Sequence, residues 1–393
     1  MARKIDPTSI PKEWKYDLLD KFAVRCSGHT PSQSFPEYWD GGIKWISLAD
    51  SNRLDKGYIF NTSKEISEEG IKNSSAVLLP AETVVLSRDA GIGKSAVMYE
   101  PMAVSQHFIA WKCDNSHKIN SWFLYNWLQL NKTEFERQAV GSTIKTIGLP
   151  YFKKLKIALP PYQEQEKIAQ ILSTWDQAIS ATEKLLENSQ QQKKALMQQL
   201  LTGKKRLLDE NGVTFSEEWQ LGHLVDIAKV SKGKALSSKD LEIGNYPVIA
   251  GGKTSPYTHS EYTHENVITV SASGAYAGYV AFYPYKIWAS DCSVVSNKIG
   301  SDVNFIYHLL VSMQTIIYSL QSGGAQPHIY PKDIEGLKIL IPPLVEQKKI
   351  ASVISLADQE IRTLQKKLDC LKQEKKALMQ QLLTGKKRVK VAA

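Results

Sequence analysis

A repetition constrains this chain more than any other feature. Residues Leu155–Arg206, moved forward by 182 positions, fall on Leu337–Arg388 without a gap, and 31 of the 52 aligned positions are identical. The run KKALMQQLLTGKKR stands unchanged at Lys193–Arg206 and at Lys375–Arg388. A segment stated twice at a fixed spacing implies a tandem of two units, each a body followed by the same element.

Each copy opens on a short apolar run suited to a strand and then reads Pro-Pro (Pro160 and Pro161; Pro342 and Pro343). That pair blocks helix on its N-terminal side and permits one just after it. The next ~40 residues lack Gly and Pro and are rich in Gln, Lys, Glu, Leu and Ala, all good helix formers. They end at Gly203 and Gly385, well placed as C-caps, followed by Lys-Lys-Arg, whose charge suits a helix C-terminus. A helix of ~40 residues is about 60 Å long.

The helices carry a seam. In the first copy Ile168, Trp175, Thr182, Ser189 and Leu196 alternate with Leu172, Ile179, Leu186, Lys193 and Leu200. In the second, Ile350, Ala357, Leu364, Leu371 and Leu378 alternate with Ile354, Ile361, Leu368, Lys375 and Leu382. This 4-3 spacing is a coiled-coil signature. Matched lengths and seams favour two helices packed on each other, antiparallel under pseudo-two-fold symmetry, with a body at each end. The alternative is two helices that each pack only on their own body.

Length and 42% hydrophobic content suit two to four folded domains. No window approaches 18 uninterrupted apolar residues, and Met-Ala-Arg-Lys-Ile-Asp has no signal-peptide core, so a cytoplasmic protein is expected. Cys26, Cys113, Cys292 and Cys370 are scattered, which indicates neither a zinc site nor a disulfide framework. The net charge is +9, and each KKALMQQLLTGKKR block holds five cations and no acid. Outside those blocks the chain is close to neutral. Any nucleic-acid binding by the bodies must then use local patches.

The expected domains are 1–155, a first body; 156–206, a helix; 207–337, a second body; and 338–393, a second helix. Mixed α/β (α+β) is the fold class. In the first body, Leu18–Val24 reads as an amphipathic segment, Thr83–Ser87 and Ala103–Ala110 as strands, and Trp122–Leu130 as a helix. Gly141–Thr146 reads as a polar loop. Trp39, Trp45, Trp122 and Trp127 read as core. The second body repeats this plan with weaker identity: Ser216–Trp219 answers Pro11–Trp14, Val267–Ser271 answers Val84–Ser87, and Gly323–His328 answers Gly141–Thr146. Copied helices beside diverged bodies suggest a common partner met twice and two different targets.

Catalytic motifs are not found. Gly91-Ile92-Gly93-Lys94-Ser95 ends like a phosphate-binding loop, but the leading Gly would fall on Arg88, so a turn between strands is the better reading. Leu159-Pro160-Pro161-Tyr162 lacks the polar residue that an adenine methyltransferase places before Pro-Pro. The histidines have no metal-ligand spacing, no Ser sits in G-x-S-x-G, and Glu164 and Glu166 read as first-turn carboxylates.

With these motifs in view, the chain resembles the specificity subunit of type I restriction–modification systems over nearly its whole length. The resemblance rests on Pro-x-x-Trp at Pro11–Trp14, answered by Ser216–Trp219 in the second half, on Ser27-Gly28-His29-Thr30-Pro31-Ser32, Tyr38–Gly42 with Trp45-Ile46-Ser47, and Gly141-Ser142-Thr143. It rests above all on Pro-Pro-x-x-Glu-Gln-x-x-Ile-Ala at Pro160–Ala169 and Pro342–Ala351. The second body departs from it, lacking Ser-Gly-x-Thr-Pro and carrying Ser231-Lys232-Gly233-Lys234-Ala235-Leu236 instead.

The resemblance implies a DNA reader with no catalysis and no cofactor of its own. Each body would be a target-recognition domain for one half of a bipartite asymmetric site. The helices would act as spacer and as dock for two methyltransferase subunits that carry S-adenosylmethionine, and a motor-nuclease subunit would supply the ATP- and Mg²⁺-dependent cleavage. No membrane association is expected. Loop residues are the candidates for phosphate and base contact: Arg88, Lys94, Arg137, Ser142, Thr143 and Lys145 in the first body; Lys232, Lys234, Lys253, Ser273, Tyr276, Gln326 and His328 in the second. The Lys-Lys-Arg clusters are expected to cap helices and touch partners. Two rivals remain at this point: a coiled-coil adaptor that touches no DNA, and a self-sufficient methyltransferase or nuclease.

Overall fold

Both long helices begin just after Pro-Pro. They run Tyr162–Leu200 and Leu344–Leu382, 39 residues each. Gly203 and Gly385 take the left-handed conformation that ends them, with φ of +69° and +75°. The computed structural model describes residues 10–113, 117–141, 145–237, 239–252, 256–324 and 326–391. The chain divides into two units, Met1–Thr182 with Lys367–Ala393, and Glu183–Lys366. Each unit therefore holds one body, part of one long helix and part of the other.

The bodies share one topology among the described residues, except that the first body's larger sheet carries a fifth strand, Tyr58–Ile59, without a counterpart in the second. In the first unit a five-stranded sheet runs in the order Val24–Ser27, Phe108–Lys112, Val84–Ser87, Ser95–Met98, Tyr58–Ile59. A three-stranded sheet runs Lys64–Ile66, Trp39–Ile46, Ala103–Val104, its last pair parallel. Lys15–Leu18 pairs with Lys156–Leu159, tying the start of the body to the strand before Pro-Pro. In the second unit the matching sheets are Ala228–Lys232, Cys292–Asn297, Val267–Ser271, Val280–Tyr283; then Thr258–His259, Tyr246–Ile249, Trp288–Ala289, again with a parallel last pair; then Gln220–His223 with Lys338–Ile341. The body helices Ser121–Leu130 and Val303–Ser312 also correspond, each capped by a side chain (Asn120, Asp302) that accepts from the third residue on.

Two local expectations need correction. Leu18–Val24 is not one element: it spans a strand end, a 3₁₀ turn at Leu19–Lys21 and the start of another strand. Ala103–Ala110 is two strands, because the chain changes sheets there. Ala103–Val104 pairs with Trp45–Ile46, and Phe108–Lys112 pairs with Val24–Ser27 and Val84–Ser87. Alternation alone cannot reveal a change of partner. Trp45 and Trp127 are core, whereas Trp39 and Trp122 are half-buried.

The cores explain why the helices are copied. In the first unit Ile168 and Leu172 of one long helix and Met379, Leu382 and Leu383 at the end of the other pack with Trp111, Phe123 and Phe152. In the second, Ile350 and Ile354 pack with Leu200, Leu201, Ile268 and Phe305. A fully buried Leu or Ile contributes on the order of 2 kcal/mol, so a body and both helix ends stabilise one another. All twenty seam positions are buried or half-buried, including Trp175, Ile179, Leu186, Leu196, Ile361, Leu364, Leu368, Leu371 and Leu378. The seam lysines are paired: Lys375 with Asp176 and Lys193 with Asp358, both at 2.5 Å. In the first unit Glu164 meets Arg388 and Asp176 meets Lys375, and in the second Ser189 meets Glu360 and Lys193 meets Asp358, so the helices are antiparallel within each unit.

The Pro-Pro-x-x-Glu-Gln motif is a clamp. Gln165 donates to the carbonyls of Pro160 and Lys118 and accepts from the Asn120 amide, holding the helix start to the body. Gln347 repeats this with Pro342 and Asp302. The buried Glu346 accepts from Arg206 Nε and Nη2 at 2.6 and 2.7 Å and from the Trp219 indole at 2.9 Å. Glu164 takes Arg388 in the same way. First-turn placement is thus only part of what Glu164 does, and the arginine of each Lys-Lys-Arg cluster is a structural partner.

Candidate nucleic-acid interface

Each body has a junction where three loops meet at the end of the central strand, built by backbone hydrogen bonds that recur almost bond for bond. In the first body the amide of Arg88 donates to the carbonyl of His107, and the amide of Ile147 donates to the carbonyl of Arg88, both at 2.9 Å. In the second, Ala272 donates to Asp291 at 3.2 Å and Ile329 to Ala272 at 2.9 Å. The loop bridge Val140–Thr146 matches Ser322–His328. Positions 88, 89, 107 and 146 therefore correspond to 272, 273, 291 and 328.

A fourth segment joins the junction in both units. Gly28 packs so tightly on the strand beside it that a Cβ would lie 1.9 Å from the Val104 carbonyl oxygen, and Gly233 would meet that of Ser290 at 2.2 Å. His29 and Lys234 then make the same backbone bond, to Val104 at 3.0 Å and to Ala289 at 2.8 Å. The sequence departure at Ser231–Lys234 is therefore confined to side chains: the one glycine the fold needs is kept.

In the first body Asp89 accepts from the Thr146 hydroxyl and lies 2.5 Å from His107 Nδ1. Arg88 is half-buried, its Nε 3.8 Å from Asp89 Oδ1 and its Nη2 3.5 Å from Thr146 Oγ1. Lys94 is tied down, donating to the carbonyl and hydroxyl of Ser51 at 2.9 and 3.1 Å. The run Gly91–Ser95 is a tight turn between two strands, with Gly91 and Gly93 at φ of +81° and +80°. Lys145 is exposed beside the junction, whereas Arg137 sits on a body helix and pairs with Glu134. Ser142 and Thr143 lie outside the described residues.

In the second body Ser273 donates to Asp291, and His328 stacks on Tyr330 with 6.4 Å between ring centroids. Tyr276 and Gln326 are exposed on the same loops. Lys232 is exposed at the end of its strand, and Lys234 Nζ lies 4.8 Å above the Trp288 ring. Lys253 lies outside the described residues. The junction thus gathers Ser273, Tyr276, Gln326, His328, Lys232 and Lys234, but only Arg88 and Lys145 of the described candidates in the first body.

Sequence reading missed Asp89, His107 and Asp291. The only signal available was their offset from strand ends, which means little without knowing which loops meet. Among the described residues no cluster of three or more His, Cys, Asp or Glu side chains is arranged to hold a metal. Burial, helped by the adjacent Asp291, pushes the Cys292 thiol up to about 12, so it stays protonated and inert as a nucleophile. No helix among the described residues is long and apolar enough to cross a membrane. The arrangement suits recognition: a rigid sheet presents donors and acceptors on loops.

The chain matches the family described as Type I restriction modification DNA specificity domain, over residues 11–189 and 216–373. It is 25% identical to the Type I restriction enzyme MjaIX specificity subunit of Methanocaldococcus jannaschii, covering 98% of this chain and 96% of that one. It is 23% identical to the Type I restriction enzyme EcoprrI specificity subunit of Escherichia coli, covering 89% and 88%. Among solved structures it is similar to the Type-I restriction-modification system S subunit from M. genitalium, with a TM-score of 0.66, 18% identity and coverage of 95% and 96%, a likeness of fold.

Proposed function

Because the chain belongs to the type I restriction–modification DNA specificity family, we propose that its two bodies read the two halves of one bipartite, asymmetric DNA site. It is the non-catalytic DNA-recognition subunit of such a complex, and the adaptor reading without DNA binding is not supported. The observation that carries the half-site assignment is the pairing of two junctions with the same backbone and different side chains. One scaffold used twice with different chemistry suits two different short sequences.

In this reading Lys145, Lys232, Lys234, Gln326 and Tyr276, together with Ser142, Thr143 and Lys253, position the bodies on phosphates and groove edges. Arg88, Ser273 and His328 sit where bases would be read. Lys94 and Arg137 serve the fold first, through Ser51 and Glu134. The long helices act as a spacer that fixes the gap between half-sites, and their repeated outer faces dock two methyltransferase subunits. S-adenosylmethionine, ATP and Mg²⁺ then belong to partners, with a motor-nuclease completing the assembly in the cytoplasm.

The test is to map methyladenine in genomic DNA from cells that express this chain with its methyltransferase subunit. The expected result is a single bipartite motif, of which replacing residues 1–155 changes one half. Assembly of the subunits with methylation at no defined motif would refute the reading.

A further inference from the structure

The junctions differ in more than detail: their hydrogen-bonding polarity is opposite. In the first body the carboxylate is used internally, since Asp89 takes the Thr146 hydroxyl and faces His107. What remains is the Arg88 guanidinium. Among the described residues its only side-chain hydrogen bond is the long one to Thr146, and its buried Nε makes none, lying 3.8 Å from Asp89 in a loose ion pair. A guanidinium has five donors in a fixed fork, so Arg88 holds most of its donor capacity in reserve.

In the second body that cation is absent, because position 88 corresponds to Ala272. The imidazole at position 107 is replaced by Asp291, a carboxylate that accepts from Ser273 on Oδ2 alone and has no ion-pair partner among the described residues. A half-buried acceptor oxygen therefore stands where the first body places His107. The flanking groups are exposed and suited to a nucleic acid: Lys145 beside one junction, Lys232, Tyr276 and Gln326 beside the other.

We propose that Arg88 and Asp291 are the specificity-determining residues of the two junctions. Arg88 donates to the O6/N7 edge of a guanine in one half-site, and Asp291 accepts from the exocyclic amine of a cytosine or adenine in the other. The major groove offers these groups in those patterns: arginine matches the paired acceptors of guanine, and a carboxylate matches an amino donor. Ser273 is a positioning residue that fixes the Asp291 rotamer, as Thr146 fixes Asp89. The inference rests on the bodies reading DNA half-sites.

The experiment uses the full chain co-expressed with its methyltransferase subunit, with genome-wide methyladenine mapping. Arg88→Lys keeps the charge and loses the fork; Asp291→Asn keeps the shape and the Ser273 contact while adding donors. Each is expected to relax one base position, in one half of the motif only, with discrimination there falling on the order of 10- to 100-fold. The quadruple change Ala272→Arg, Ser273→Asp, Asp291→His, His328→Thr carries the first junction's chemistry into the second frame and is expected to install guanine at that position. An unchanged motif, or a uniform loss at every site with no position relaxed, would overturn the proposal. A wild-type complex that assembles yet methylates no defined motif would instead defeat the underlying half-site reading.

Discussion

Arg206 donates to both carboxylate oxygens of Glu346, from Nε at 2.6 Å and from Nη2 at 2.7 Å, across 140 positions of sequence. Glu346 is fully buried, and the Trp219 indole is its other donor. Breaking one side of such a pair leaves a buried charge uncompensated. Arg206→Ala is expected to destabilise the second unit by about 3 kcal/mol. The double change Arg206→Met, Glu346→Leu should recover most of it, because no charge is then stranded. Urea unfolding of the three proteins measures this, and equal loss in the single and double variants would count against the stranded-charge account.

The two close-packed glycines give a sharper contrast. A Cβ on Gly28 would sit 1.9 Å from a backbone oxygen, and one on Gly233 would sit 2.2 Å from another. Backbone cannot step aside as a side chain does, so Gly28→Ala and Gly233→Ala should each cost about 2 kcal/mol or more. Gly324 has nothing within 4 Å of its Cβ position, so Gly324→Ala should stay within ~0.5 kcal/mol of wild type. Thermal unfolding of the three variants decides it.

What the sequence reveals here follows the range of the interaction. Pro160-Pro161, the apolar spacing through Ile168 and Leu172, and Gly203 are local signals, and they define the long helices almost to the residue. The antiparallel orientation is not fixed by the repeat, since identical seams also meet symmetrically in a parallel pair; it is set by which charged groups meet, Lys375 with Asp176 and Lys193 with Asp358. The reading junction is another matter. Asp89, His107 and Thr146 are far apart in the chain and meet only because a central strand delivers Arg88 between two other loops. The Ser231–Lys234 stretch hides its kinship to Ser27–Thr30 for the same reason. The constraint is one glycine against one carbonyl, and every other side chain there is free to change.

His308 makes stability of the second unit depend on pH. Burial, partly opposed by Asp358, pulls its pKa down to about 4, and its Nδ1 has no hydrogen-bond partner among the described residues. The folded pKa is below the ordinary value of about 6.5, so the unfolded chain binds the proton first. Stability is then full above about pH 6.5 and falls as the pH drops toward 4. Between pH 7 and pH 5 this one group should cost about 2 kcal/mol. His308→Gln retains a donor toward Ser355, 3.1 Å from His308 Nε2, and cannot titrate. Its unfolding free energy should lose that part of the pH dependence, and wild type and variant falling in parallel would show that burial is not setting the proton affinity.

Lys232 and Lys94 have been grouped as candidate phosphate contacts, and their surroundings predict different behaviour. Lys232 is exposed at a strand end beside the second junction, with no ion pair among the described residues. Lys94 is half-buried and spends its ammonium on Ser51. Each phosphate neutralised by a cation releases counterions, which steepens the salt dependence of DNA binding by about 0.9 in log–log slope. For the assembled complex on its cognate DNA, Lys232→Ala should lower that slope by about one contact and leave the methylated motif unchanged, as expected of a group that positions without reading. Lys94→Ala should leave the slope where it was and lower the melting temperature instead, since the turn at Gly91–Ser95 loses its anchor. Should Lys94→Ala also flatten the slope, the ammonium must leave Ser51 when DNA arrives, and the first body would then rearrange on binding.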